Sequence, residues 1–310
     1  MTTTRRTFLG TTLLAATAAA TVTLPRFAYA QGSGKTGTIK TKDGVELFVK
    51  DTGGTGRALV LTHAWPLNAD IWDYQAAALS KAGYRVISYD RRGFGRSGKP
   101  ETGYTFDTFA DDLAAVIDQT GVRDATIVGY SMGGGEVVRY LTRHNAKNVA
   151  KAGMVGGAGY YLLKTENNPI GKDVSLFNGI KQGVQGDRKA YLTGLLTNVF
   201  FDAKRPSTVP VTQEVIDSAV AMAMMATVTA KVGCVEAFST TDFRGELASI
   251  KTPTLIIHGT ADIPVSFEQG QATAAGIKGS KLIAYQDGSH GIVVTERDRV
   301  TADLQAFLAS

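Results

Sequence analysis

Ser131 stands in Gly129-Tyr130-Ser131-Met132-Gly133, which fits G-x-S-x-G. Ala125 to Gly129 before it reads as a strand, and Gly133 to Arg143 after it as a helix. A sharp strand-to-helix turn holds such a serine in a strained conformation, and small residues on either side let the neighbouring backbone pass close by. The hydroxyl then projects at a helix N-terminus, where the dipole favours developing negative charge. Serine becomes a nucleophile only when a base takes its proton.

Histidine is the usual base, and the chain has four. His144 falls at the end of a predicted helix among polar neighbours and reads as solvated. His258 ends a strand and reads as a structural hydrogen-bonding residue. His63 belongs to the loop after an earlier strand. His290, in Asp287-Gly288-Ser289-His290-Gly291, follows the last strand on a glycine-flanked loop. That is where the base belongs in the chain order Ser, acid, His. The acid that fixes its tautomer is expected at Asp262, after the penultimate strand. Asp287 lies on the same loop as the base, which does not favour approach to the ring, and Asp90 precedes the serine. Asp90 is instead expected to organise the turn Arg91-Arg92-Gly93-Phe94-Gly95.

Attack on an ester builds an oxyanion that needs two positioned N–H donors, each worth about 3–4 kcal/mol in the transition state. One is expected from Met132, the residue after the nucleophile. The other is expected from His63-Ala64-Trp65-Pro66. Proline has no N–H, which leaves the Trp65 amide. The Trp65 indole is placed as the roof of a small acyl pocket.

These residues must be held by a regular frame. Ile39–Lys42 and Val45–Val49 alternate about Asp43-Gly44, so an opening hairpin is expected from Thr38. Buried strands then alternate with amphipathic helices. Strands are expected at 58–62, 85–89, 125–130, 150–155, 254–258 and 281–285. Helices are marked by Ile71, Tyr74, Ala78 and Leu79, by Phe109, Leu113, Val116 and Ile117, near 267–277, and by Val300, Leu304, Phe307 and Leu308. This order predicts an α/β fold, with a parallel sheet covered by helices on both faces and ligands outside the carboxyl ends of its strands. The alternation breaks from about 159 to 245, a helical stretch rich in Met and Phe that reads as a lid; Phe201, Met225 and Phe238 are its candidate pocket residues.

The chain has 310 residues, 44% of them hydrophobic and 20% charged, ordinary for a globular protein needing no disulfide or metal. Its one cysteine, Cys234, sits in an apolar stretch and reads as a buried small hydrophobe. Residues 1–30 contain Arg5 and Arg6 before Phe8-Leu9, an apolar stretch from Thr11 to Leu24, and Ala28-Tyr29-Ala30. This is the pattern of a cleavable signal peptide of twin-arginine type, too short and too rich in Thr and Ala for a membrane anchor. An exported protein, periplasmic or secreted, is therefore expected, with residues 31–36 as a flexible mature N-terminus and 31–310 as the folded domain. Setting aside the three arginines of 1–30 from the 33 basic residues leaves 30 against 28 acidic ones, so no nucleic-acid partner is indicated. No cofactor or metal is called for: there is no H-E-x-x-H and no Cys/His cluster. The oligomeric state stays open, a homo-oligomer included.

Several separated segments together resemble the cofactor-free haloperoxidases, also called perhydrolases, and the related aryl esterases of the α/β-hydrolase fold. They are His63-Ala-Trp-Pro66, Asp70-Ile-Trp-Asp-Tyr-Gln75, Tyr89-Asp-Arg-Arg-Gly-Phe-Gly-Arg-Ser-Gly98, Gly129-Tyr-Ser-Met-Gly-Gly134, His258-Gly-Thr-Ala-Asp-Ile-Pro-Val265 and Gly288-Ser-His-Gly291. The resemblance runs from about residue 37 to the C-terminus. It implies a mostly parallel eight-stranded sheet with a helical lid. It carries over Ser131, Asp262 and His290 as a triad, and the Trp65 and Met132 amides as the oxyanion hole. It implies hydrolysis of small acyl esters, with a side activity in which hydrogen peroxide replaces water and yields a peracid. Two features depart from the family: Ala64 stands where glycine is usual, and most members lack an export signal. A serine at the elbow disfavours dehalogenase and epoxide hydrolase chemistry, which need aspartate there. Lactone and carbon–carbon bond hydrolysis remain open on the same triad. The non-enzymatic alternative is a small-molecule receptor, against which the complete Ser–Asp–His set argues.

Overall fold

The computed structural model describes Met1 and residues 34–310, so the expected signal peptide lies outside the described residues. Eight strands form one sheet: β1 Lys35–Lys40, β2 Glu46–Asp51, β3 Ala58–Thr62, β4 Arg85–Tyr89, β5 Ala125–Tyr130, β6 Val149–Val155, β7 Thr254–Gly259 and β8 Lys281–Tyr285. Their order across the sheet is β1-β2-β4-β3-β5-β6-β7-β8. The first two pairings, β1 with β2 and β2 with β4, are antiparallel, and every other one is parallel.

The helices are α1 Asp73–Lys81, α2 Phe106–Gln119, α3 Met132–Arg143, α4 Val174–Gln185, α5 Arg188–Leu195, α6 Gln213–Met224, α7 Val228–Thr240, α8 Arg244–Leu247, α9 Phe267–Gly276, α10 Ile292–Thr295 and α11 Arg297–Ala309. The apolar strand sequences explain the frame. All five residues of β3 and all six of β5 and of β7 are buried, as strands covered on both faces require. Phe109, Leu113, Val116 and Ile117 of α2 are buried together, as the 3.6-residue period demands. Each such side chain contributes about 1.5–3 kcal/mol of hydrophobic burial.

The hairpin begins earlier than Thr38. Lys35 and Thr36, expected in a flexible segment, pair with Asp51 and Lys50. β1 is an edge strand with five of its six residues exposed, so no alternation of apolar residues marks its start.

The interruption between β6 and β7 holds α4 to α8. Side chains cap four of these helices: Asp173 for α4, Asp187 for α5, Thr212 for α6 and Thr227 for α7. Each such cap is worth about 1 kcal/mol. A π-helical turn, Leu196–Phe200, extends α5. Cys234 of α7 is buried, and burial pushes its thiol up to about 12. Among the described residues no single helix is long and apolar enough to cross a membrane; α6 and α7 reach that hydropathy only as a pair bent by 96°.

Candidate active site

Because β3 to β8 run parallel, their carboxyl ends share one edge of the sheet, where the predicted residues meet. Ser131 follows β5 with φ 54° and ψ −119°, a left-handed conformation that costs about 1–3 kcal/mol in a non-glycine residue. The turn is held on both sides. The Ser131 amide donates to Val155 O (3.0 Å), and its carbonyl accepts from Gly134 and Ala158 amides (2.8 Å each). The elbow is tight enough that a Cβ on Gly129 would fall 2.1 Å from Gly133 O.

His290, on the loop after β8, accepts from the Ser131 hydroxyl at Nε2 (2.8 Å). Its Nδ1–H donates to Asp262 Oδ2 (2.7 Å). The tautomer follows from chemistry, because an ionised carboxylate only accepts and so places the proton on Nδ1. Asp262 is fixed on its other side by the Val265 amide, which donates to Oδ1 (2.8 Å). The loops after β7 and β8 are laced by Thr260 N to Tyr285 O (2.9 Å), Ala261 N to Gly288 O (3.0 Å) and Asp287 N to Thr260 Oγ1 (2.8 Å). Gly156, at φ +52°, follows β6 beside this pair; a Cβ there would lie 3.2 Å from Asp262 Oδ2 and 3.3 Å from His290 Nδ1.

The other expectations sort cleanly. Asp287 is exposed, on the outside of its loop. His144 is half-buried rather than fully solvated, donating from Nε2–H to Asp111 Oδ1 (2.8 Å) and stacked on Tyr140. His258 Nε2 donates to Val265 O (2.9 Å) and lies 3.5 Å from Asp262 Oδ2, a structural role beside the acid. Asp90 does organise its turn: Oδ2 accepts from the Arg96 amide (2.7 Å), and Oδ1 also takes the Ala69 amide (2.9 Å).

Trp65 lies on the loop after β3, and Met132, directly after the serine, is the first residue of α3. Among the described residues no protein acceptor takes either amide. The Trp65–Pro66 peptide is cis, and the Trp65 indole donates to Lys231 O (3.2 Å) of α7. Phe238 meets the Trp65 ring edge-on at 5.9 Å. Phe201 is buried against Gly291 and Phe200. Met225 is 41% exposed, with its sulfur 3.5 Å from Asn68 Nδ2, so it is a surface residue of the lid rather than part of an enclosed lining.

Two side chains at the site were not singled out from the sequence. Phe200 meets the His290 ring edge-on at 4.7 Å. Tyr130, within the elbow motif, donates to His290 O (2.8 Å). Burial holds the Tyr130 hydroxyl well above the usual phenol range, so it remains a donor. The result is a shielded centre, with Ser131 only 8% exposed and His290 1%. A cleft of about 590 Å³ opens at the opposite end of the sheet, among Arg57, Arg85, Arg123 and Lys151. No nucleophile–base pair lines it, so the chemistry belongs to the shielded centre. Among the described residues, no group of three or more His, Cys, Asp or Glu could hold a metal ion.

Residues 57–296 match the model of the alpha/beta hydrolase fold family. The chain is an α/β-hydrolase. Within that family it is similar to a non-heme haloperoxidase of Rhodococcus erythropolis, 40% identical over 273 residues that make up 88% of this chain and 99% of the relative. A bifunctional esterase/perhydrolase of Acinetobacter calcoaceticus is 37% identical over 276 residues, covering 88% of this chain and all of that one (100%). Among solved structures, a bromoperoxidase from Bacillus anthracis superposes with a TM-score of 0.84 at 38% identity, across 89% of this chain and 100% of the other. This α/β-hydrolase therefore shares whole-domain similarity with its haloperoxidase and perhydrolase relatives, and the eight-stranded sheet expected from the resemblance is present.

Proposed function

We propose that the protein is a serine hydrolase of small carboxylic esters, working through an acyl-enzyme that either water or hydrogen peroxide can cleave. The observation that carries this reading is the continuous chain Ser131 Oγ to His290 Nε2 (2.8 Å) and His290 Nδ1 to Asp262 Oδ2 (2.7 Å). In the first half-reaction Ser131 Oγ attacks the ester carbonyl carbon while its proton passes to His290 Nε2. The carbonyl oxygen becomes an oxyanion between the Trp65 and Met132 amides. Collapse breaks the carbon–oxygen bond, and the alcohol leaves with the proton from His290. In the second half-reaction His290 takes a proton from water, and the oxygen attacks the acyl carbon. Release returns the proton to Ser131 and yields the carboxylic acid. Hydrogen peroxide in the place of water yields the peracid by the same steps, with no change of oxidation state at the protein.

The relatives named for esterase, perhydrolase and haloperoxidase activity support both halves of this reading. Crowding by Trp65, Phe200 and Phe238 supports a short acyl group. The test compares p-nitrophenyl acetate with p-nitrophenyl octanoate, and then adds peroxide. Turnover favouring acetate, and peracid forming at the expense of carboxylic acid as peroxide rises, are the expected results. Preference for octanoate would overturn the small-acyl assignment, and peroxide consumption without peracid would overturn the partition.

We also propose that the chain acts outside the cytoplasm after cleavage following Ala30, a reading supported by the Arg5-Arg6 pair and Ala28-Tyr29-Ala30. N-terminal sequencing of protein recovered outside the cytoplasm is expected to begin at Gln31. Recovery only from the cytoplasm, with Met1 intact, would contradict it.

A further inference from the structure

The two amides expected to hold the oxyanion come from separate elements, and a buried ion pair ties those elements together. Glu136 is one turn along α3 from Met132. Its Oε2 accepts from Arg91 Nη2 (2.6 Å) and Nε (2.9 Å), and its Oε1 accepts from the Tyr89 hydroxyl. Arg91 Nη2 also donates to the carbonyl of His63 (3.0 Å), and the Arg91 amide donates to His63 Nε2 (3.0 Å). A backbone N–H can only donate, so Nε2 carries no proton and the His63 Nδ1–H donates to Ala64 O (2.9 Å). Burial and the adjacent Arg91 hold His63 well below the usual imidazole range, which keeps it in this neutral form. Arg91, Glu136 and His63 are all fully buried. Burial pushes the Glu136 carboxyl up and lowers the Arg91 guanidinium to about 10; the charged fork at 2.6 and 2.9 Å opposes the first and holds the carboxylate in its ionised form. Phe109 and Phe94 pack on Arg91 and His63.

A buried ion pair is a poor way to add stability, because an apolar pair of similar volume does as well or better. What it adds is direction. The guanidinium fork has one fixed geometry, and it is used here to bind a carboxylate on α3 and a backbone carbonyl two residues before Trp65. We propose that Arg91 and Glu136 are positioning residues for the oxyanion hole. They set the distance of the Trp65 amide from the Met132 amide, with neutral His63 carrying the constraint through the Ala64 carbonyl. Neither touches the substrate.

This inference rests on the acyl-enzyme reading, and the test separates the two. Wild type, Glu136→Gln and the double variant Arg91→Met/Glu136→Leu are each titrated with a small fluorophosphonate, and kcat is expressed per labelled serine. If no serine labels in the wild type, the functional reading fails before positioning is asked. With labelling complete in all three proteins, kcat per labelled site is expected to fall by about tenfold to a hundredfold in both variants, with KM changed by no more than about twofold. The inhibition constant of a trifluoromethyl ketone, whose hemiketal needs the oxyanion hole, is expected to rise by the same factor as kcat/KM falls. The apolar double variant is expected to melt at or above the wild-type temperature, so a loss of activity there is not a loss of fold. If Glu136→Gln does not fold, the double variant alone decides. Unchanged kcat per labelled site and an unchanged ketone constant would overturn the proposal, and so would a fall in activity matched only by a fall in labelled serine.

Discussion

Replacing Ser131 with alanine is expected to lower kcat for p-nitrophenyl acetate by about 10⁴- to 10⁶-fold, with the fold intact. The size follows from what is removed. Without Oγ no acyl-enzyme can form, and only the oxyanion donors and substrate binding remain to assist water. The fold should survive because, among the described residues, the hydroxyl's one protein partner is His290, while the elbow is held by backbone bonds to Val155, Gly134 and Ala158. Alanine accepts the same backbone strain that serine does. Circular dichroism and melting temperature check the fold, and steady-state rates check the chemistry. Residual turnover above about one part in a hundred, in protein free of wild-type contamination, would mean that a different group attacks the ester.

Asp262→Asn is expected to cost about 10³- to 10⁴-fold in kcat while leaving geometry almost unchanged. The side chains have the same shape, and the amide oxygen can still take the Val265 N–H. That leaves the amide NH₂ facing His290 Nδ1, where the carboxylate oxygen was 2.7 Å away. A donor there forces the ring proton onto Nε2. His290 then meets Ser131 with an N–H instead of a lone pair and cannot act as its base. The charge that stabilises the imidazolium is lost at the same time. Asp287→Asn on the neighbouring loop is the control, since that residue is exposed and away from the ring; its activity should match wild type. A small effect of Asp262→Asn would reassign the acid.

The Ser131–His290–Asp262 chain was legible because each residue lies just past a strand end, and the strand sequences are unambiguous. Ser131, Asp262 and His290 follow β5, β7 and β8, whose residues alternate with clear helices. Chain order then left few choices for the acid and the base. The lid was not legible at the level of side chains. Phe200 and Phe201 are adjacent, and the π-helical turn at Leu196–Phe200 shifts the phase of the helix by one residue. A 3.6-residue period cannot say which ring faces His290, and here it is Phe200 that meets it directly. α7 buries Lys231 on the same face as Ala230, Cys234, Val235 and Ala237, so a charged residue interrupts the apolar face that would mark its inside. Met225 was expected to line a pocket, yet it ends up exposed just past the end of α6. The Arg91–Glu136 pair was invisible for another reason. Its partners are 45 residues apart on β4's following turn and on α3, and no local pattern signals a pairing across the fold.

Ser131 as the single acylated residue is the claim on which the rest depends, and the most direct measurement is the intact mass and peptide map of protein treated with a fluorophosphonate. The account predicts one adduct per chain, located on the peptide containing Ser131 and absent from Ser131→Ala. An adduct on another residue, or a folded wild type that takes up none, would contradict it.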